Sequence, residues 1–392
     1  MLLLAAGMAA GLGAYLEQLE QGLRLTGLSR QFTWGAYIGM FTFAVGIAAS
    51  AVITAIPAVA RPVSPGDDAI PPPLAPLPLF AEGMAVAALL VAIACVVADL
   101  GRPQNLLGLL LHPSPTSPMF WDMLALSAYL LVTLVLFTSG LESLRHRLAP
   151  SRGMRRLLLV SIPLALSIHI ITAFLYAGLP DRHYWLTSVL GTRFLASALC
   201  SGPALLLLGL GLLSRFTGSD PLGAHGGTAR RLLLTWTGWA LAAHCLLFGM
   251  ELFTVLYSGM PAMQRPFALL FDSPGSLLFV SGWLAALLAL GLLLHEGLAH
   301  RAAQTGTETT KPTRSRKPLV QAALVLVVCS VWIDKAPGMM LGGFTPDSFG
   351  EAVLYTPTLT ERIVLLGILC AGLAVLSILW RLIVQECRNS HG

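Results

Sequence analysis

Apolar residues in this chain fall into long runs separated by short polar stretches. A helix needs about 20 mainly apolar residues to cross the hydrocarbon core of a bilayer. Nine runs meet that need: 33–60, 81–100, 119–140, 157–179, 194–214, 232–257, 275–295, 319–334 and 363–385. Residues 2–16 (LLLAAGMAAGLGAYL) form a tenth, weaker run. No basic segment precedes it, and no small-residue cleavage site precedes Glu17, Glu20 and Arg24, so a short first span is expected rather than a signal-peptide core. The fold class this predicts is all-α: a polytopic bundle of about ten spans, forming one membrane domain over residues 1–392. The hydrophilic stretch 297–318, rich in Thr, Lys, Arg and Pro, reads as a solvated linker between spans 8 and 9.

The basic residues orient these spans. With ten spans, 16 Lys and Arg fall in the loops and tail after even-numbered spans and eight in the loops after odd-numbered ones. The positive-inside rule then puts both termini and the 297–318 linker in the cytoplasm, as expected for a multi-pass protein of a bacterial inner membrane.

Composition agrees with the pattern. Of 392 residues 56% are hydrophobic and 11% charged, against about 45–50% and 25% in soluble domains; mean hydropathy is +0.76. A soluble enzyme and a disordered chain are excluded. The net charge of +5 does not indicate nucleic acid, because the basic residues are spread along the loops where membrane topology accounts for them. The six cysteines, Cys95, Cys200, Cys245, Cys329, Cys370 and Cys387, form no CxxC, no CxxCH and no four-cysteine run. The chain is therefore expected to carry no covalent haem, no Fe–S cluster and no metal of its own. Phosphate-loop, zinc-protease and calcium-loop motifs are also missing from the sequence.

Ionisable residues inside or bordering spans are costly and so are candidates for function. Span 3 runs outward to Asp99, followed by Arg102; span 4 starts at Trp121 and Asp122. Asp99 and Arg102 read equally well as an ion pair ending a helix, and Asp122 as a boundary residue. Span 5 carries His169 and Tyr176, and span 7 carries His244, Glu251 and Tyr257. Span 2 opens with Trp34 and Tyr37. His244 and Glu251, seven apart, share a helix face, whereas Arg182, His183 and Arg193 read as surface residues. An acidic group, a histidine and phenols at the outer level of one membrane suit a quinone. Quinol oxidation releases protons, and the ring needs hydrogen-bond partners for two oxygens and a greasy slot. His169 and His244 each lie 13 residues beyond the last preceding arginine, Arg156 and Arg231, so ligation of a b-type haem by the pair stays open as an alternative.

Several segments carry a more specific signal. Asp99-Leu-Gly-Arg-Pro103 with His112–Asp122 (HPSPTSPMFWD), Gln31–Phe43 (QFTWGAYIGMFTF), His169–Leu206 and Phe248–Gly259 (FGMELFTVLYSG) resemble the integral membrane subunits of the NrfD/PsrC family, those of polysulphide reductase type. Trp332–Glu361 is similar to the longer ten-span, DsrP-like branch associated with dissimilatory sulphur metabolism. The resemblance covers roughly residues 15–380. It implies two adjacent helical bundles, a quinone site (menaquinone or ubiquinone) on the outer side, and no other cofactor in the chain. It also implies an extracytoplasmic, four-cluster ferredoxin-like Fe–S partner, with or without a cytochrome c and further membrane or catalytic subunits. The positions it marks are Asp99, Arg102, Asp122, His169 and Glu251. The resulting expectation is a subunit exchanging electrons between membrane quinone and that partner. Glu251 and His169 would handle protons; Trp34, Tyr37, Asp99, Arg102, Asp122, Tyr176, His244 and Tyr257 would line the quinone. A redox-silent membrane anchor and a proton-coupled transporter are the rival readings, the latter weakened by the lack of an obvious pair of broken half-helices.

Overall fold

A computed structural model describes residues 1–29, 32–54, 76–146, 151–179, 182–223, 226–273, 275–304, 317–343 and 355–389. Ten helices among them are long and apolar enough to cross a membrane. They are built on α1 (Leu2–Gln21), α2 (Ala36–Ala49), α3 (Pro76–Asp99), α4 (Pro118–His146), α5 (Arg152–Ala177), α6 (Leu190–Thr217), α7 (Gly226–Ser258), α8 (Ser276–Gln304), α9 (Lys317–Ile333) and α10 (Leu359–Asn389), the second crossing continuing to Thr54 and the ninth to Gly343. The all-α expectation holds throughout the described residues.

The helices associate as two neighbouring rings of four. Helices α2, α3, α4 and α5 close one ring, and α6, α7, α8 and α9 close the other. Helix α2 sits at the seam, touching α3, α5, α6 and the residues that follow α9. It is the most enclosed span, with 83% of its apolar window buried, which suits its run of small and apolar residues. The α1/α10 pair packs outside the first ring, against α3.

Residues 2–16 thus belong to a membrane-length helix with a defined partner. Helix α1 carries Gly7 and Gly11 four residues apart, facing α10. A Cβ added at Gly11 would lie 2.5 Å from the Gly367 backbone, and one at Gly7 would lie 2.5 Å from the Cys370 sulphur. Small residues at this spacing let two backbones approach inside lipid, where van der Waals contact replaces the hydrophobic effect. Gly11→Leu is expected to lower the melting temperature of the detergent-solubilised protein through overpacking of about 1–3 kcal/mol; an unchanged melting curve would mean that the seam contributes nothing.

Several boundaries differ from expectation for identifiable reasons. Helix α8 continues to Gln304 and α9 begins at Lys317, because Ala, Glu, Arg and Gln beyond the apolar run are good helix formers. Only 305–316 of the expected linker remains, and it lies outside the described residues, as does the 55–60 end of the second run. The ninth span does not stop at 334. A single π-turn, Asp334–Gly338, carries the helix on to Met339–Gly343. Pro337 within it has no N–H to give the helical ladder, and a wider turn accommodates the gap. One broken span therefore exists where none was expected. The loop after α7 also contains an unexpected helix, Pro261–Asp272, begun by proline at its first position.

The start of α10 ties the neighbouring ends of several helices together. Thr358 and Glu361 form a capping box: Thr358 N donates to Glu361 Oε2 at 2.8 Å and Glu361 N to Thr358 Oγ1 at 3.3 Å. The same carboxylate accepts from Gly27 N at 2.9 Å and from the Tyr355 hydroxyl at 2.6 Å, and Ala36 N donates to Tyr355 at 2.8 Å. One buried glutamate thus anchors the α1–α2 connection to α10.

Candidate functional site

The largest concentration of buried charge lies in the second ring, where α6, α7 and the π-turn meet. Arg193, one turn into α6, is fully buried. Its Nη1 donates to Glu251 Oε2 on α7, and its Nη2 donates to Asp334 Oδ1 at 3.0 Å and to the Tyr184 hydroxyl at 3.3 Å. The guanidinium also lies 5.3 Å from the Phe248 ring centre and 5.8 Å from that of Tyr184, contacts that stabilise a desolvated cation. Burial pushes the Tyr184 phenol well above its usual range, so it stays protonated.

His244 joins the cluster from α7. Its Nε2 lies 3.7 Å from Asp334 Oδ2, and its ring stacks on Trp283 at 5.0 Å. Phe248 continues that stack, 3.8 Å from Trp283. The seven-residue spacing of His244 and Glu251 does put both on the buried face.

Lys335 follows Asp334 in the π-turn and points the other way, toward the seam between rings. Its ammonium lies 5.1 Å from the Phe194 ring centre and beside Gly46 of α2, where an added Cβ would sit 2.8 Å from Nζ. It is fully buried and finds no hydrogen-bond acceptor among the described residues. His169 of α5 is in the same condition at one nitrogen: Nδ1 lies 3.4 Å from Ala165 O, while Nε2 has no partner among the described residues. Buried polar atoms are rarely left unpaired, so these two mark interior positions suited to an exogenous polar group.

The remaining residues of α5 extend this stripe. Thr172 donates to Asp122 Oδ1 at 2.8 Å, and the Tyr176 hydroxyl pairs with Thr42 of α2 at 2.6 Å. Trp34 and Trp185 close over Tyr176, at ring separations of 5.0 and 4.9 Å. Trp185 is fixed by a hydrogen bond to Met339 O at 3.0 Å. Asp122, His169, Tyr176 and Trp34 therefore lie along one buried stripe, with Glu251 and His244 in the charged cluster beyond it.

Four expected site residues are not brought to this region. Tyr37 is buried on the opposite face of α2, because it lies five residues from Thr42 and five residues turn a helix by about 140°. Its hydroxyl donates to Gln18 of α1 at 2.6 Å, and Gln18 donates to Ala98 O at 2.8 Å. Asp99 is on that side too, with Oδ1 buried and unpaired among the described residues. Arg102 is exposed, and among the described residues no ion pair joins it to Asp99. Tyr257 is 83% exposed and stacks only on Phe253 among the described residues, since six residues from Glu251 turn it well away from the buried face.

Sequence reasoning missed Arg193, Asp334, Lys335 and Glu82. Arg193 reads as a surface residue because it stands at the start of a span, yet it is buried. Asp334 and Lys335 read as the end of one, yet the apolar residues beyond Pro337 continue the crossing. Glu82 sits in the apolar run of α3, fully enclosed, with Oε2 unpaired among the described residues; a carboxylate inside such a run was the available signal. His244 directs its Nε2 at Asp334, whereas His169 Nε2 has no partner among the described residues.

Comparison with known proteins gives a consistent picture. The family described as "Polysulphide reductase, NrfD" matches residues 24–308. Similar proteins include a provisionally named membrane subunit of dimethyl sulfoxide reductase from Halobacterium salinarum, 26% identical across 94% of this chain and 87% of that one. A selenate reductase subunit of Mesobacillus selenatarsenatis is 22% identical across 96% and 92%. The Hdr-like menaquinol oxidoreductase integral membrane subunit of Archaeoglobus fulgidus is 23% identical across 94% and 88%.

Proposed function

We propose, from the premise that this chain belongs to the polysulphide reductase NrfD family, that it is the quinone-interacting membrane subunit of a respiratory redox complex. The relatives are named for different reactions, involving dimethyl sulfoxide, selenate and menaquinol. What proteins of this kind can have in common is the membrane side of the exchange, and this chain's chemistry lies there.

The observation that carries the reading is the buried cluster Arg193–Glu251–Asp334 with its unpaired neighbours Lys335 and His169. Two buried acids and two buried bases balance formally, which makes their enclosure tolerable. Quinol, when bound, supplies two electrons and two protons. Lys335 Nζ and His169 Nε2 are two of the buried polar atoms without a partner among the described residues, and they would hold ring oxygens. Phe194, Tyr176 and Trp34 offer apolar walls. Glu251 would take a proton at Oε1, because Arg193 already holds Oε2. Arg193 keeps that carboxylate oriented and tied to Asp334, and His244 is placed to pass a proton beside Asp334.

The rest of the assignment follows from topology. Arg193 and Lys335 are buried, so they leave the count of outer loop charges, and the basic residues favour a cytoplasmic location for both termini even more strongly. An Fe–S partner of the four-cluster ferredoxin type would dock on the opposite, extracytoplasmic face, on the loops that join α3 to α4 and α5 to α6. Menaquinone or ubiquinone would serve as the mobile carrier in a bacterial inner membrane.

The test is spectroscopic. The purified complex is titrated with a menaquinol analogue while tryptophan fluorescence is followed, and its absorption is recorded before and after dithionite. Saturable quenching, weakened in His169→Ala and Lys335→Met, is the expected result. No quenching in a preparation that retains its partner would establish a redox-silent anchor instead. A b-type haem band lost on His169→Ala or His244→Ala would make the protein a haem-bearing cytochrome.

A further inference from the structure

A groove lies at the other end of these spans, lined by the C-terminal turns of α6 and α10. Leu213, Phe216, Thr217, Arg381, Val384 and Arg388, with Gln385 between the last two, line a groove of about 280 Å³ there. Residues 381, 384, 385 and 388 follow i, i+3, i+4, i+7 spacing, so one face of α10 forms a whole wall. Its two arginines leave the backbone about 10 Å apart along the helix, a span that their long side chains can close.

The charge in this groove is uncompensated. Glu386, the nearest acid in sequence, points to another face of α10 and is held by Arg145 of α4 at 2.8 Å. Among the described residues neither Arg381 nor Arg388 has an ion-pair or hydrogen-bond partner. Arg381 is also awkwardly placed, two turns inside an apolar helix, where a lone cation calls for a counter-charge or a path to the surface. The other wall is greasy: Phe216 is 81% exposed, with Leu213 behind it.

We infer that this groove binds an anionic glycerophospholipid, its phosphodiester between Arg381 and Arg388 and an acyl chain against Phe216, Leu213 and Val384. The two cations select a headgroup with net negative charge, since the ammonium of a zwitterionic headgroup would face them. The apolar wall selects a lipid over a free anion. Basic pockets between spans at the positively charged side of a membrane have this capacity in general. The inference does not depend on the quinone reading, because the groove and the buried cluster share no residue.

The full chain, purified with its partners, is stripped of lipid and supplied with chain-matched phosphatidylglycerol or phosphatidylcholine. Bound lipid is then counted by native mass spectrometry. Phosphatidylglycerol is expected to be retained roughly tenfold or more over phosphatidylcholine. The preference should fall to near parity in the Arg381→Gln/Arg388→Gln double variant and persist in Arg381→Lys/Arg388→Lys. Both arginine side chains are exposed, so folding is spared. Equal retention of the two lipids, or an unaltered preference in the glutamine variant, overturns the inference. Displacement of phosphatidylglycerol by millimolar inorganic phosphate would also overturn it, by showing a simple anion site.

Discussion

Arg193→Gln is expected to destabilise the protein by about 3–5 kcal/mol, the usual cost of removing one member of a buried ion pair. Glu251 and Asp334 would lose the group that holds both, and two carboxylates would be left facing each other without a cation between them. The Tyr184 hydroxyl and the Phe248 ring would lose contacts as well. Melting in detergent reads this directly. Arg193→Lys should recover only part of the loss, because a point ammonium cannot serve Glu251, Asp334 and Tyr184 as a planar fork does. Adding Glu251→Gln to Arg193→Gln should restore stability by removing one orphaned charge, a coupling that a double-mutant cycle isolates. A wild-type melting curve for Arg193→Gln would mean that the acids share a proton and need no cation.

Glu251→Gln alone should cost less stability than Arg193→Gln, because Arg193 keeps a second carboxylate, and should chiefly impair turnover. The amide keeps the size of the carboxyl group, and Arg193 remains tied to Asp334 and Tyr184. The substitution removes the proton acceptor. General-base catalysis typically contributes 10²–10⁴-fold, so quinol oxidation by the assembled complex should fall by about that factor. The measurement is turnover with a quinol analogue and an artificial acceptor, beside a check that the partner still co-purifies. Unchanged turnover with normal assembly would remove Glu251 from the proton path and leave Asp334 as the acid to test next.

These two residues also illustrate what the sequence could reveal. Glu251 was legible because it interrupts an apolar run several residues from its end, where an unpaired carboxylate is costly. Its partner was not. Arg193 stands where a span begins, and an arginine there is ordinarily a boundary residue; only the three-dimensional approach of α6, α7 and the π-turn shows that it is enclosed. Asp334 and Lys335 were hidden for a related reason. Asp-Lys-Ala-Pro reads as the end of a helix, because a proline that widens a turn and one that ends a helix look alike in sequence; only the packing of Ala336 and Lys335 against Gly39 and Gly46 of α2 shows that the crossing continues. The ten spans were readable because bilayer thickness fixes their length. Facing was readable where the spacing was seven, as for His244 and Glu251; Tyr257, six residues from Glu251, faces away from the buried cluster.

The glycine seam between α1 and α10 also bears on how the protein is made. The first helix leaves the ribosome long before its partner exists; Gly27 and Glu361, bonded across the same junction, are 334 residues apart. At about 5–20 residues per second, α1 waits roughly 20–70 s in the membrane before α10 is synthesised. Throughout that interval the face bearing Gly7 and Gly11 is open to any other helix that can approach as closely. Closure of this pair therefore cannot precede the synthesis of α10. The two helices act as a clasp that can fasten only after the eight spans between them have been made, and a nascent chain truncated before α10 should be recognisable to quality control by its unclaimed α1.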